Sequence, residues 1–270
     1  MPKFAANLSL LFTEVAFLDR FERAAKAGFR AVEFLFPYEH PAEAIKARLD
    51  EHGLVAVLFN TPPGDWDAGE RGTACVPGRA DAFRAGLARA VEYARVLEVK
   101  NVHVLAGRAP PDASAAALRR AYVGNLRLAA EALGEAGARA LLEPINRVDM
   151  PGYYMNRTAQ AIEAIAEIDA ANVFMQYDIY HAQRSEGELA ATIEKHLARI
   201  GHMQLADTPG RHEPGTGEIN YPFLFEHIDR IGYTGHIGCE YRPRAGTEAG
   251  LGWLAAEALR QAAATSPVTP

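Results

Sequence analysis

The chain has 270 residues, 49% of them hydrophobic and 23% charged, with a formal charge of −6. That is enough chain for one full-sized core, and the acidic balance argues against a nucleic-acid partner, which would need clustered Lys and Arg. The two cysteines, Cys75 and Cys239, give no disulfide framework, and no apolar run is long enough to span a bilayer.

In chain order, the opening MPKFAANLSLLF carries one Lys and a short apolar run broken by Asn7 and Ser9. It makes a poor signal peptide, so a cytoplasmic protein is expected. Short apolar runs predict strands at 3–8, 31–36, 55–60, 101–106, 138–143, 172–178, 200–206 and 236–241. Between them apolar residues recur at steps of three and four. Phe83, Leu87, Val91 and Ala94 form one such stripe, and Leu118, Tyr122, Leu126, Ala129 and Leu133 form another. Thr13 is the expected cap of the first helix. The AGF, EHGL, EAGA and RIGY segments repeat a helix–glycine–strand signal. Eight strands, each followed by a helix, predict an α/β protein with a single (β/α)8 TIM barrel over 1–260. The final QAAATSPVTP, 261–270, reads as a flexible C-terminal tail. A doubly wound open sheet is the alternative, weakened because no glycine-rich phosphate loop follows the first strand.

In such a barrel the active site lies at the C-terminal ends of the strands. Strand five ends in Glu143, strand six in Asp178, strand seven in Gln204 and strand eight in Glu240. The steps between them match one βα unit of roughly thirty residues. An acid at the end of one strand is ordinarily a helix cap, and Asp178 before IYH suits that role. Acids at neighbouring strand ends change the reading, because uncompensated buried carboxylates repel one another. A divalent ion held by Glu143, Asp178, Gln204 and Glu240 removes the conflict, and oxygen-only ligation suits Mg2+ or Mn2+.

Other residues surround this mouth. His181, just beyond Asp178, is a candidate substrate contact. His202 and His236 share strand parity with Gln204 and Glu240 and are read as donors behind the ligands or as packed barrel histidines; His103 is read as core. Asp207 is expected either to cap the seventh helix or to orient its neighbours. The loop NTPPGDWDAGERG, 60–72, reads as a lid carrying Trp66. Arg211 and His212 after strand seven, and Arg108 after strand four, are candidates to meet an anionic substrate.

These segments resemble one family. EPIN at 143, DIYH at 178, HMQLAD at 202, PGRHEPGTGEINYP at 209, GYTGHIGCEY at 232 and the GDWDAGERG loop are similar to those of the hydroxypyruvate isomerases, which are xylose-isomerase-like barrels. The resemblance implies interconversion of hydroxypyruvate and 2-hydroxy-3-oxopropanoate (tartronate semialdehyde), with Glu143 and Glu240 as the proton-transfer pair. The alternatives are a four-carbon 2-oxo acid such as 2-dehydrotetronate, on which close relatives act, and a sugar 3-epimerase acting on a neutral ketose, although Gln204 resembles the isomerases where many epimerases carry His. An abasic-site endonuclease of related fold needs more His ligands and a basic DNA face, and a non-catalytic sugar-binding barrel needs no acid–base pair. The expected partner is a small hydroxy-oxo acid, with no nucleic acid and no membrane; a homo-oligomer is compatible with the sequence.

Overall fold

The structure, a computed structural model, describes residues 2–265, with side chains as far as Arg260. Its strands are β1 (Lys3–Asn7), β2 (Ala31–Glu33), β3 (Val55–Asn60), β4 (Asn101–His103), β5 (Arg139–Leu142), β6 (Val173–Asp178), β7 (Ile200–Leu205) and β8 (His236–Cys239). They pair in chain order, and β1 also pairs with β8, so the sheet closes into a parallel barrel. The helices are α1 (Arg20–Lys26), α2 (Ala42–His52), α3 (Ala80–Leu97), α4 (Ala115–Glu135), α5 (Thr158–Ile168), α6 (Ile179–Ser185), α7 (Leu189–His196), α8 (Tyr221–Arg230) and α9 (Gly252–Thr265). The expected (β/α)8 architecture is therefore the observed one.

The apolar stripes explain the helix layer. Phe83, Leu87, Val91 and Ala94 on α3, and Leu118, Tyr122, Leu126, Ala129 and Leu133 on α4, are all buried in one continuous core with the outward faces of the strands. Burying each large apolar side chain contributes about 1.5–3 kcal/mol. Gly53 ends α2 in the left-handed conformation (φ 61°), as the helix–glycine–strand signal implies.

Register then levels the site. Asp178 pairs with Gln204, and Gln204 with Gly238, so the tops of β6, β7 and β8 share one layer. Most strands are shorter than the apolar runs that announced them. The extra residues, such as 34–36 and 104–106, fall outside the assigned strands, although Phe34 N still donates to Leu58 O (3.3 Å) and Val104 N to Leu141 O (2.9 Å). The β2–β3 register shifts between Val32 and Glu33, which ends β2 early.

Two expectations are corrected. Thr13 caps nothing: the chain after β1 is an irregular segment held by buried Leu8, Leu11 and Phe12, and a 3-10 turn at Phe17–Asp19 leads into α1. Asp207 does not cap the next helix either, since Asn220 Oδ1 accepts from Phe223 N (3.3 Å) to cap α8. Asp207 orients its own loop, accepting backbone N–H groups from Thr208, Gly215, Gly217 and Ile219 at 2.9–3.1 Å. Helix α9 is assigned through Thr265. Residues 266–270 of the segment read as a tail lie outside the described residues.

Candidate active site

A cavity of about 490 Å³ opens at the C-terminal ends of the strands. Glu143 and Glu240, the residues directly after β5 and β8, both line it. Asp178 lies just beneath, 2% exposed. Its two oxygens have different surroundings. Its Oδ1 accepts from Tyr180 N (2.8 Å) and His181 N (3.3 Å) at the start of α6. Its Oδ2 is buried, has no hydrogen-bond partner, and lies 3.6 Å from His181 Nε2. The cap expected of Asp178 is present, and it occupies only one of the two carboxylate oxygens.

Glu143 Oε1 is likewise buried without a hydrogen-bond partner, and its Oε2 lies 3.2 Å from His103 Nδ1. His103, the last residue of β4, therefore belongs to the cavity wall as well as to the buried interior. Burial pushes the His103 imidazole down to about 3, so it stands neutral beside the acid. Burial, then the charges of Glu240 and Asp178, hold Glu143 well above the usual carboxylate range. Burial also raises Glu240, to about 8, with Arg211 opposing and Asp178 adding to the rise. Asp178 is raised by burial too, again against Arg211.

Arg211, expected to meet the substrate's charge, is already engaged. Its Nη2 lies 3.1 Å from Glu240 Oε2 and 3.7 Å from Asp178 Oδ2. Burial works against its charge, yet Glu240, Asp178 and Glu143 together hold its pKa above the ordinary arginine value. It is the internal counter-ion of the acid cluster. His212 faces the other way, with Nδ1 2.7 Å from the carbonyl of Arg242.

His181 is fixed as a neutral donor by its neighbour Asn146. The oxygen of that amide accepts from Val148 N (3.0 Å) and Asp149 N (2.9 Å), which turns its Nδ2 onto His181 Nδ1 at 2.6 Å. Nδ1 is then the acceptor. Burial, with Arg211 and His103 adding, holds the ring well below the ordinary histidine value. The proton of the neutral ring therefore sits on Nε2, 3.9 Å from Glu143 Oε1. Glu143, Asp178 and His181 each place one donor atom within 4.8 Å of the others. The carboxylates have the free lone pairs an ion needs; His181 in this tautomer presents a hydrogen.

Gln204 sits in the floor. Its Nε2 donates to Glu33 Oε1 (2.8 Å), and its Oε1 accepts from Gln176 Nε2 (2.6 Å). Glu33 is the residue that sequence reasoning missed. It is completely buried at the end of β2, takes Asn7 Nδ2 at 2.9 Å, and lies 2.7 Å from His202 Nε2. His202 is thus a donor below the site, while His236 is half-buried at the start of β8. The signal was present: a lone acid inside the apolar AVEFLF run. Gly238 makes room for it, since a Cβ there would fall 2.1 Å from Glu33 Oε2. Glu33→Ala leaves the Asn7, His202 and Gln204 donors facing an empty core. We expect a loss of about 3–5 kcal/mol in urea unfolding. A change within ~0.5 kcal/mol would show that Glu33 is not the acceptor at the centre of this floor.

Over the mouth, the loop expected as a lid leaves β3 and returns against β4. Gly72 N donates to Pro63 O (2.7 Å), and Cys75 N to Ala106 O (2.7 Å). Gly72 has φ 103°, and a Cβ there would lie 2.4 Å from the Leu105 carbonyl, so only glycine closes this loop. Trp66 is exposed on its outer face and packs against Phe36 (centroids 5.6 Å apart). Arg71, which sequence reasoning also missed, lies over the Trp66 ring at 3.5 Å. Trp66, Arg71 and Arg108 all line the cavity.

Comparison with known proteins agrees with this geometry. The sequence model of the xylose isomerase-like TIM barrel matches residues 21–257. The 2-oxo-tetronate isomerase of Cupriavidus necator is 56% identical over 254 residues, covering 94% of this chain and 98% of that protein. The hydroxypyruvate isomerase of Escherichia coli is 49% identical, with the same coverage. A solved structure described as AP endonuclease, family 2, from Brucella melitensis superposes with a TM-score of 0.93 at 45% identity, covering 95% of this chain and 99% of that one. Among the described residues no helix is long and apolar enough to cross a membrane. With matches that span nearly the whole chain, the protein belongs to the xylose isomerase-like TIM-barrel family and is an isomerase akin to the hydroxypyruvate and 2-oxo-tetronate isomerases.

Proposed function

We propose that the enzyme moves a carbonyl between two adjacent carbons of a small hydroxy-oxo acid. The reaction takes hydroxypyruvate to 2-hydroxy-3-oxopropanoate, with the four-carbon 2-oxo-tetronate as the alternative substrate. The observation that carries this reading is the pairing of Glu143 and Glu240 in one cavity, both with raised pKa values, with a neutral His181 donor lining the same cavity. Glu240, raised to about 8, lies near the working pH, where a carboxyl gives and takes a proton with similar ease.

In this reading one glutamate removes the hydrogen from the carbon bearing the hydroxyl, leaving an enediolate. The pair then delivers a proton to the former carbonyl carbon. The hydroxyl proton passes to the other oxygen, and His181 Nε2–H donates to the oxygens between which the charge moves. Arg211 keeps Glu240 oriented through its 3.1 Å contact. Trp66 and the lid exclude water, which would otherwise quench the enediolate.

The residues fit a divalent metal. Glu143 Oε1 and Asp178 Oδ2 are buried oxygens with no hydrogen-bond partner, and Gln204 Oε1 keeps a second lone pair beside its bond from Gln176. Glu143, Asp178, Gln204 and Glu240 would hold Mg2+ or Mn2+, an oxygen-only set that suits a hard ion. Such an ion, when bound, supplies Lewis-acid polarisation of the carbonyl. A cytoplasmic setting agrees with two buried, unpaired thiols, Cys75 and Cys239.

A panel assay tests the substrate class. With Mn2+ or Mg2+ present, hydroxypyruvate or 2-oxo-tetronate is expected to turn over with kcat/KM at least ~100-fold above that for a neutral ketose such as D-tagatose. Preference for the neutral ketose would replace this reading with a 3-epimerase.

A further inference from the structure

Two arginines at the lid face the cavity without an anion to meet them. Arg108 follows β4, and its backbone is bridged to Tyr153, so its base is held rigidly. Its guanidinium makes no hydrogen bond or ion pair with any described residue, and its Nε is buried and unpartnered. Arg71 comes from the lid itself. Its Nη1 donates to the carbonyls of Trp66 (2.9 Å) and Glu70 (2.6 Å), neutral acceptors that leave its charge unbalanced. Burial and the neighbouring charge of Arg108 both press its pKa below the ordinary arginine value, with Asp67 opposing weakly from an exposed position. Arg108 Nη1 also approaches the lid backbone, 3.4 Å from where a Cβ on Gly69 would stand.

Like charges placed together and partly stripped of water destabilise each other unless an anion completes the site. The other cavity arginines do not share this need. Arg211 is neutralised by Glu240 and Asp178, and Arg242 is exposed to solvent. We propose that Arg71 and Arg108 together form the seat for the substrate's carboxylate, and that the carboxylate thereby ties the lid to the end of β4. Two guanidinium forks match the two oxygens of a carboxylate with parallel hydrogen bonds, which a sugar hydroxyl cannot reciprocate. In both candidate acids the carboxylate is bonded directly to the carbonyl carbon. Gripping it therefore fixes which carbon is presented to Glu143 and Glu240 in the same cavity. The inference rests on the acid-isomerase reading above and adds the part that selects acids over neutral ketoses.

The experiment compares wild type with Arg71→Met, Arg108→Met and Arg108→Lys. Kinetics use hydroxypyruvate and dihydroxyacetone, its neutral counterpart of equal length. Each Met variant is expected to raise KM for hydroxypyruvate by about 10- to 100-fold. The hydroxypyruvate-to-dihydroxyacetone ratio of kcat/KM should fall at least ~10-fold, and Arg108→Lys should lie between. Thermal melting provides a readout that needs no turnover. D-glycerate is expected to raise the Tm of wild type but not of the Met variants, while glycerol raises neither. An unchanged substrate ratio in both Met variants, or D-glycerate stabilising them as it does wild type, overturns the proposal. If wild type isomerises no acid, the functional reading fails on its own, and the D-glycerate shift still decides whether the arginines bind a carboxylate.

Discussion

Replacing Glu240 with Gln is expected to lower kcat by about 100- to 10,000-fold, and Glu143→Gln by a similar factor, since a positioned acid–base group contributes that much. The substitution keeps the shape of the side chain but removes both its ability to carry a proton and the negative charge it would offer a divalent ion. Glu143 Oε1 has no hydrogen-bond partner in the fold and Oε2 lies 3.2 Å from the neutral His103, so the amide breaks no ion pair with an arginine or lysine. Glu240 differs in one respect: the amide loses the charge that Arg211 faces at 3.1 Å. Part of its loss then appears as weakened stability, visible in a melting curve, while the Glu143 variant should melt close to wild type in metal-free buffer. Steady-state kinetics of both variants, with saturating metal, make the measurement. If either variant keeps kcat within ~3-fold of wild type, that glutamate does not transfer the proton.

Stripping divalent metal with a chelator is expected to reduce turnover by at least ~1,000-fold, with recovery on adding Mn2+ or Mg2+ but not Na+. The physical reason lies in the charge count around the cavity. Glu143, Asp178 and Glu240 converge in a buried space, and Arg211 is the only arginine paired with any of them among the described residues. One cation cannot offset three acids in a medium that screens so poorly. Because the ion binds the native state, it should also raise the unfolding free energy, by about 2.7 kcal/mol at a hundredfold excess over its Kd. Full activity in metal-free buffer, together with an unchanged melting temperature, would discard the metal and leave Arg211 as the only counter-charge.

Relatives that differ in named substrate share this acid cluster's fold, so the choice among acids and ketoses depends on what surrounds it. The cavity offers Arg71 and Arg108 by the lid, while Arg211 sits among the acids at the strand ends, an arrangement that suits an acid with a reactive carbonyl at one end. A neutral ketose makes no use of the first half.

How much of this was legible in the chain follows from the range of each interaction. Alternating apolar runs and helical stripes are local, repeated at two and 3.6 residues, and they determined the barrel with its strand order. The rule that strand ends form the mouth then marked Glu143, Asp178 and Glu240, because one βα unit advances each by one stave. Glu33 was beyond that logic. Its partner Gln204 is 171 residues away and meets it across the closed barrel, with room left only by a glycine on a third strand. His103 looked like core because its strand was expected to continue to 106, whereas β4 stops at His103 itself. Arg71 lies in a loop whose path depends on Gly72 pressing against Leu105, and no periodicity records that contact. Even Asp178 divides this way. Its capping oxygen is a local matter of the next two backbone amides, readable from the DIYH run, but its free oxygen gains a purpose only where other strands bring their acids alongside. Sequence by itself determined which staves bring acids to the mouth. The closed barrel decided which lone pairs remain free for it, because burial and long-range partners, not chain neighbours, occupy the others.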